Sequence, residues 1–307
     1  MDGVLFLNEQ STPHKDLIEK MALLGRNDHP LYSMISKGTP SQKGKAIDGH
    51  AWWYENRPDG DLNNAHLEGS DTASSVERDL GNSLNHYQIV KHKYGITGSM
   101  EGKADIENKN ELAKLGTTTM EDHLKSIEKI LMSSQAPIQR VNTGDPTTSV
   151  AGKMGGIGHW MTVENTFDVA NSDLSRQFLR ELFKFGYFQG VHCTHIFVSD
   201  VQKDRLDDLD LQNARGIYGQ NDIKDNNVQT LKNFTYAPNV KVIMSPYVAD
   251  DEIIGINAGS LALVHQRLTK VYEKGRVSDS IEKEIITELT LRVNNPYGVC
   301  KLSGLTV

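Results

Sequence analysis

Three short stretches carry residue types that could do chemistry. Gly152-Lys153-Met154-Gly155-Gly156-Ile157-Gly158 offers glycines and a lysine, the raw material of a phosphate-cradling loop. The spacing that wraps backbone amides around a phosphate, Gly-x-x-x-x-Gly-Lys followed by Ser or Thr, is absent, and no strong strand signal precedes the run. His192-Cys193-Thr194-His195 places two imidazoles near a thiol. Neighbours on a strand face opposite sides, and no acidic base or third ligand is close in sequence, so a buried or edge position without metal is expected. Asp207, Asp208 and Asp210 lack the glycine and glutamate of a calcium loop and read as a solvated helix end. There is no Gly-x-Ser-x-Gly nucleophile elbow. Trp52, Trp53 and Tyr54 could stack on bases or sugars, but with few basic neighbours their expected role is packing. Cys193 and Cys300 stand alone without Cys-x-x-Cys spacing, which points to neither a disulfide framework nor a zinc site and fits a reducing cytoplasm. No catalytic residue, cofactor or metal is therefore assigned.

The remaining chain must be explained by elements that position surfaces. Its 307 residues suffice for one large or two modest domains, and a hydrophobic fraction of 37% supplies a core. A net charge of -7 and a pI near 5.9 argue against a dedicated nucleic-acid grip. The start, Met1 to Leu7, has no basic leader, and no run approaches the length of a membrane span, so a soluble protein without a secretory signal is expected.

The longest helical pattern covers residues 103–135, with Met120, Leu124, Ile127 and Leu131 spaced four, three and four as the buried stripe. Acidic Asp105 and Glu107 near its start and basic Lys125 and Lys129 towards its end suit the helix dipole, and Pro137 stops it. A helix of that length would be a strut of about 50 Å. Gly116-Thr117-Thr118-Thr119 is its weak point, where it could kink or split. Before it come a short helix candidate at residues 16–24 and a Gly, Pro and Ser-rich arm whose Leu31, Tyr32, Met34 and Ile35 need a surface to lie on. Two β-rich runs, His50 to Tyr54 and His86 to Thr97, enclose a long polar insert that carries the turn signal Arg57-Pro58-Asp59-Gly60. A loop of that length is usually functional or partner-contacting, and a protruding hairpin accounts for it.

After Gly158, Trp160 to Val163 reads as a short strand, followed by an amphipathic helix capped by Asn171 or Ser172, striped by Leu174, Phe178, Leu182 and Phe185, and ended by Gly190. Thr194 to Val198 and Val240 to Met244 are strands around an acidic helix at residues 200–211, which makes an α+β block. Ile253 to Ile256 and Leu261 to His265 add strands. In the last long strand Leu289, Leu291 and Val293 alternate with Glu288, Thr290 and Arg292, which predicts one solvated face, and Asn295-Pro296-Tyr297-Gly298 turns the chain into a final strand at Val299 to Leu305.

Arm, long hairpin, long helix, α+β block and closing strands come in an order that resembles the major capsid proteins of tailed bacteriophages. The wording resembles one branch of them: Ser11-Thr12-Pro13-His14-Lys15-Asp16-Leu17-Ile18, His29-Pro30-Leu31-Tyr32-Ser33-Met34-Ile35, Ala51-Trp52-Trp53-Tyr54, Asn85-His86-Tyr87-Gln88-Ile89 with Gly95-Ile96-Thr97-Gly98, and Glu288 through Pro296. The resemblance spans nearly the whole chain. It implies an N-terminal arm (1–46), an E-loop hairpin (47–100), a peripheral domain with a spine helix (101–149), an axial domain (150–246) and C-terminal strands returning mainly to the peripheral domain (247–307). It also implies a non-enzymatic shell subunit that forms hexamers and pentamers of an icosahedral head around double-stranded DNA, assembled in the host cytoplasm and resident in the virion, with no cofactor and no membrane partner. Portal and possible cement proteins are the implied partners, packaged DNA would be touched non-specifically, and, the chain having no room for a scaffolding segment before the arm, any scaffold would be a separate protein. Trp52, Trp53, Tyr54, Arg57, Asp59, Leu31, Tyr32, Met34 and Ile35 are the expected interface residues. Two alternatives stand beside it: a cellular nanocompartment shell of the same fold, and a soluble nucleotide-binding α/β enzyme using the glycine loop.

Overall fold

The computed structural model describes residues 4–5, 29–38, 49–56, 62, 65–70, 79–101, 111–161, 163–218, 230–232, 234–237, 239–276 and 279–307. The expected helix at 16–24, the residues Arg57 and Asp59, and the first part of the long helix at 103–110 lie outside these. In chain order the elements are β1 (Val4–Leu5), α1 (Pro30–Met34), β2 (Ser36–Gly38), β3 (Gly49–Asn56), β4 (Asp79–His86), β5 (Gln88–Thr97), α2 (Gly98–Glu101), α3 (Glu111–Met132), α4 (Ile157–Trp160), β6 (Thr166–Ser172), α5 (Arg176–Phe188), β7 (His195–Val198), α6 (Asp200–Tyr218), β8 (Thr230–Lys232), β9 (Asn239–Met244), β10 (Ile253–Ile256), β11 (Leu261–Glu273), β12 (Ser280–Val293) and β13 (Val299–Leu305). They form a five-stranded sheet ordered β1-β5-β12-β11-β2, a six-stranded sheet ordered β6-β13-β10-β7-β9-β8, and the two-stranded hairpin β3-β4. No helix among the described residues is long and apolar enough to cross a membrane.

The long helix α3 runs without a break through Gly116. The threonines after it do not cap a second helix. Thr117 and Thr118 instead donate their hydroxyls back to the carbonyls of Ala113 and Lys114, both at 3.2 Å. Gly116 admits the ring of Tyr94 from β5, since a Cβ there would stand 3.1 Å from the phenol oxygen. The helix ends at Met132 rather than Gln135, because Ser133 turns its hydroxyl onto the Ile130 carbonyl at 2.7 Å. Burial is graded along its axis. Ile127, Leu131 and Met132 are buried in a core shared with Leu289, Leu291 and Val293 of β12, whereas Met120 and Leu124 are half-buried. Two polar side chains that the stripe left outside, His123 and Glu128, are fully buried.

Several expectations need correction. The hairpin's return strand is β4, not the run His86 to Thr97, whose residues Gln88–Thr97 form β5 in the five-stranded sheet. Asp79–His86 is too polar to signal a strand, and its pairing with the aromatic β3 rather than its own propensity makes it one. The alternate face of β12 is not solvated: Glu288 and Thr290 are buried, the carboxylate held by Arg140 Nη2 at 2.6 Å and Arg267 Nε at 2.7 Å. Arg140 comes from a ribbon bridged at Ile138–Lys153 and Val141–Val150.

Trp160 closes the helical turn α4 rather than opening a strand, and the unforeseen strand β6 follows. The cap of α5 is Ser175, whose hydroxyl accepts from the Phe178 amide at 3.3 Å; Asn171, with a φ of 59, sits in the left-handed region before it. The acidic helix extends to Tyr218, and its Asp207 is ion-paired with Lys203 at 2.6 Å. β13 does not fold back on β12. It crosses to the six-stranded sheet and pairs with β10 on one side and β6 on the other, so of the C-terminal strands β11 and β12 serve the first sheet while β10 and β13 serve the second.

Candidate assembly surfaces

The hairpin is rooted by hydrogen bonds that leave one of its faces free. At the root, buried Asn85 donates its side-chain amide to the carbonyls of Leu291 (2.7 Å) and Gly155 (3.2 Å) and accepts from the Gly155 amide at 2.7 Å. Beside it the Gln135 amide donates to Gln88 Oε1 at 2.9 Å and to the Met154 carbonyl at 2.7 Å. Trp52 is buried against Trp160, ring centroids 5.4 Å apart. Strand pleating then assigns the faces. The register sets Trp52 opposite Ser83 and Tyr54 opposite Gly81 on the docked side, where the Tyr54 ring lies over the glycine. On the other side Ala51 faces Leu84, Trp53 faces Asn82 and Glu55 faces Leu80. Trp53 is 69% exposed, Leu80 63% and Leu84 48%, a row of large apolar groups on one side of one ribbon. Leu80 and Leu84 escaped the sequence reading, because Asn82 stands between them and the stretch shows no apolar alternation until its pairing with β3 puts both on one face.

The arm is fixed on the other flank of α3. Glu128 stands at the start of α1 and accepts from the Leu31 amide at 2.9 Å and the Tyr32 amide at 2.8 Å. Burial pushes its carboxyl pKa up, a shift that the two amides and His29 only partly oppose. Leu31 and Ile35 are fully buried in the chain's own core, so they act as anchors, while Tyr32 and Met34 are half-buried and Lys37 lies 4.0 Å over the Tyr32 ring. β2 then adds in parallel to the edge of β11. Glu128→Ala is expected to cost about 1 to 3 kcal/mol, mostly from the orphaned Leu31 amide, and to expose residues 29–38 to limited proteolysis ahead of the core. Equal protection of that segment in both proteins would show that the carboxylate does not hold the arm. Nothing in the sequence marked Glu128, because a glutamate in a helix reads as solvated.

The stretches with chemical residue types serve packing. Gly156 and Gly158 donate to the carbonyls of Gln135 and Ser133, each at 3.1 Å, and so cap the end of α3. A Cβ at Gly156 would lie 2.2 Å from the Ser133 carbonyl oxygen, and one at Gly158 2.3 Å from the Ser134 hydroxyl. The glycine run is therefore filled by the helix end. Burial raises the Cys193 thiol to about 12 and the Cys300 thiol well above its ordinary value. Among the described residues no group of three or more His, Cys, Asp and Glu could hold a metal ion.

A chain whose hairpin keeps one apolar face uncovered, and whose long helix backs a sheet beside a second α+β lobe, has the design of a shell-forming subunit. Comparison with known proteins bears this out. A model of the SU10 major capsid protein family matches residues 5–306, so the chain belongs to that family of tailed-phage capsid proteins. Solved structures share the fold at low identity. The capsid protein of cyanophage A-1(L) matches with a TM-score of 0.68 at 12% identity over 98% of this chain and 100% of that one. That of cyanophage P-SCSP1u gives 0.64 at 7% over 98% and 97%. The SrpI encapsulin of Synechococcus elongatus gives 0.62 at 10% over 97% and 94%. No curated protein sequence matches. The protein is a structural capsid protein that assembles with itself into a shell and resides in the virion.

Proposed function

We propose that copies of this chain form hexamers and pentamers that close an icosahedral head around double-stranded phage DNA, touched without sequence preference. The observation that carries this is the hairpin: its root is locked to its own subunit while Trp53, Leu80 and Leu84 stay uncovered, as a surface destined for an adjacent copy would be. In this reading residues 1–46 are the arm, the five-stranded sheet with α3 is the peripheral domain, and the six-stranded sheet with α5 and α6 is the axial domain. The subunit acts by association rather than catalysis and assembles in the host cytoplasm without a membrane. Portal, a separate scaffold and possible cement proteins are its partners. Trp53→Glu should leave the subunit's stability within about 0.5 kcal/mol of the parent, since the side chain is exposed, and abolish the megadalton boundary in sedimentation. Normal shells from Trp53→Glu would remove the hairpin from the assembly contact. The encapsulin likeness keeps a nanocompartment shell as the second reading. Purified particles decide between them, because genomic DNA inside supports a phage head and an enclosed enzyme supports a compartment.

A further inference from the structure

Midway along α3 a polar chain crosses from the helix into three strands. Nδ1 of His92 on β5 and Nδ1 of His123 on α3 lie 2.9 Å apart, their rings edge to face at 85°. Nε2 of His123 is 2.7 Å from the Thr287 hydroxyl of β12, which is 2.8 Å from the Thr269 hydroxyl of β11. Nε2 of His92 is 3.4 Å from the Ser126 hydroxyl, one turn along the helix. His123 is fully buried and His92 half-buried.

Proton counting decides what this pair can do. Contact between the two Nδ1 atoms needs one N–H, so one ring donates and the other accepts. With His92 as the donor, a further proton can sit on its Nε2, at the half-buried edge, and leave the contact intact. With both rings protonated, two N–H groups face each other across 2.9 Å and neither finds an acceptor. Among the described residues neither ring has a carboxylate as hydrogen-bond partner. Charged groups on the packed elements are engaged with one another: Asp122 with Lys125 on α3 at 3.5 Å, Lys91 and Lys93 of β5 with Glu284 and Glu282 of β12 at 3.8 and 2.7 Å, Arg267 of β11 with Glu288 of β12 at 2.7 Å, and Lys283 of β12 with Glu273 of β11 at 3.8 Å. Glu121, two residues before His123, lies on a different face of α3. Tyr94 on β5 lies against Gly116, and Tyr32 of α1 is hydrogen-bonded to Thr269.

We propose that His92 and His123 form a proton-operated joint between the long helix and the five-stranded sheet, closed with at most one proton beyond the neutral pair and forced open by the second. The direction of the effect follows from the burial of His123 and, next, from the charge of His92, which hold its pKa down at about 4 against an ordinary 6.5. A depressed folded pKa means that the contribution is complete above about pH 6.5 and is lost as pH falls towards 4. Glu128, on the same helix, has the opposite sign. Its raised pKa makes the folded state more tolerant of acid, so a whole-protein melt would blend the two and a local readout is needed.

Hydrogen–deuterium exchange with mass spectrometry, run on assembled particles between pH 7 and pH 4 and corrected for intrinsic exchange, supplies it. Peptides covering residues 119–127 and 283–290 should lose protection as pH falls, by up to on the order of a hundredfold. In His123→Asn the same peptides should be less protected at pH 7 and no longer respond to pH. In His92→Asn the loss between pH 7 and pH 4 should be smaller, because without the charge that opposes it His123 takes up its proton in the closed state at a higher pH. Protection that does not change with pH in the parent, or an unchanged pH dependence in the variants, would overturn the proposal. If His123→Asn does not fold, His92→Asn decides alone, and a loss as large as the parent's overturns it.

Discussion

Ile127→Ala is expected to cost the subunit about 2 to 5 kcal/mol, a large part of the marginal stability of a domain. Ile127 is fully buried between α1, the sheet and α3's own neighbours, in the cluster that contains Leu31, Leu289 and Leu291. Truncation leaves a cavity that three elements would have to close together. Leu124→Ala, at a half-buried position, should cost less, and Lys125→Ala, whose charge pairs with exposed Asp122 at 3.5 Å, no more than about 0.5 kcal/mol. Thermal melts of the three variants test the order. A loss for Leu124→Ala equal to that for Ile127→Ala would mean that burial does not grade along the helix as described.

Gly156→Val should be comparably severe. Any Cβ at this position meets the Ser133 carbonyl oxygen at 2.2 Å and that of Ile130 at 2.7 Å, and both are backbone atoms that cannot swing aside. Relief requires the turn before α4 to lift from the end of α3, which breaks the Gly156 bond to Gln135 and the Gly158 bond to Ser133. Overpacking of this kind costs about 1 to 3 kcal/mol and more when hydrogen bonds go with it. The same displacement would carry Gly155 off Asn85 and loosen the hairpin root, so Gly156→Val should combine a lower melting temperature with poor assembly. Gly144→Ala serves as control, because nothing lies within 4 Å of a Cβ there, although its φ of 85 adds local strain. If Gly156→Val melts no lower than Gly144→Ala, the close approach is not a constraint.

The sequence was most legible where one element satisfies itself. The α3 pattern, the aromatic strand β3, and the short apolar strands β7, β9 and β10 all carry signals visible in isolation, a helical period in the first and apolar or aromatic runs in the rest. It was least legible where a partner far along the chain decides. Asp79–His86 becomes a strand because Gly49–Asn56 lies beside it, and Glu288 is inside because two arginines reach it from elsewhere. His123 and Glu128 follow the same logic, since only the folded neighbours supply their hydrogen bonds. The order of elements was enough to suggest the family. The side chains that fix the arm and expose the hairpin face needed the register.

The strand β13 has a consequence for timing. Both sheets depend on strands late in this sequence: β12 sits between β5 and β11, and β13 sits between β6 and β10. Neither lobe can complete its hydrogen-bonded order while residues 280–305 are still being synthesised, so a nascent chain would hold its arm and hairpin long before it has a body for them. A chain that ends before residue 280 lacks the central strand of the five-stranded sheet and the strand that joins β6 to β10, so neither sheet reaches the shape that assembly uses.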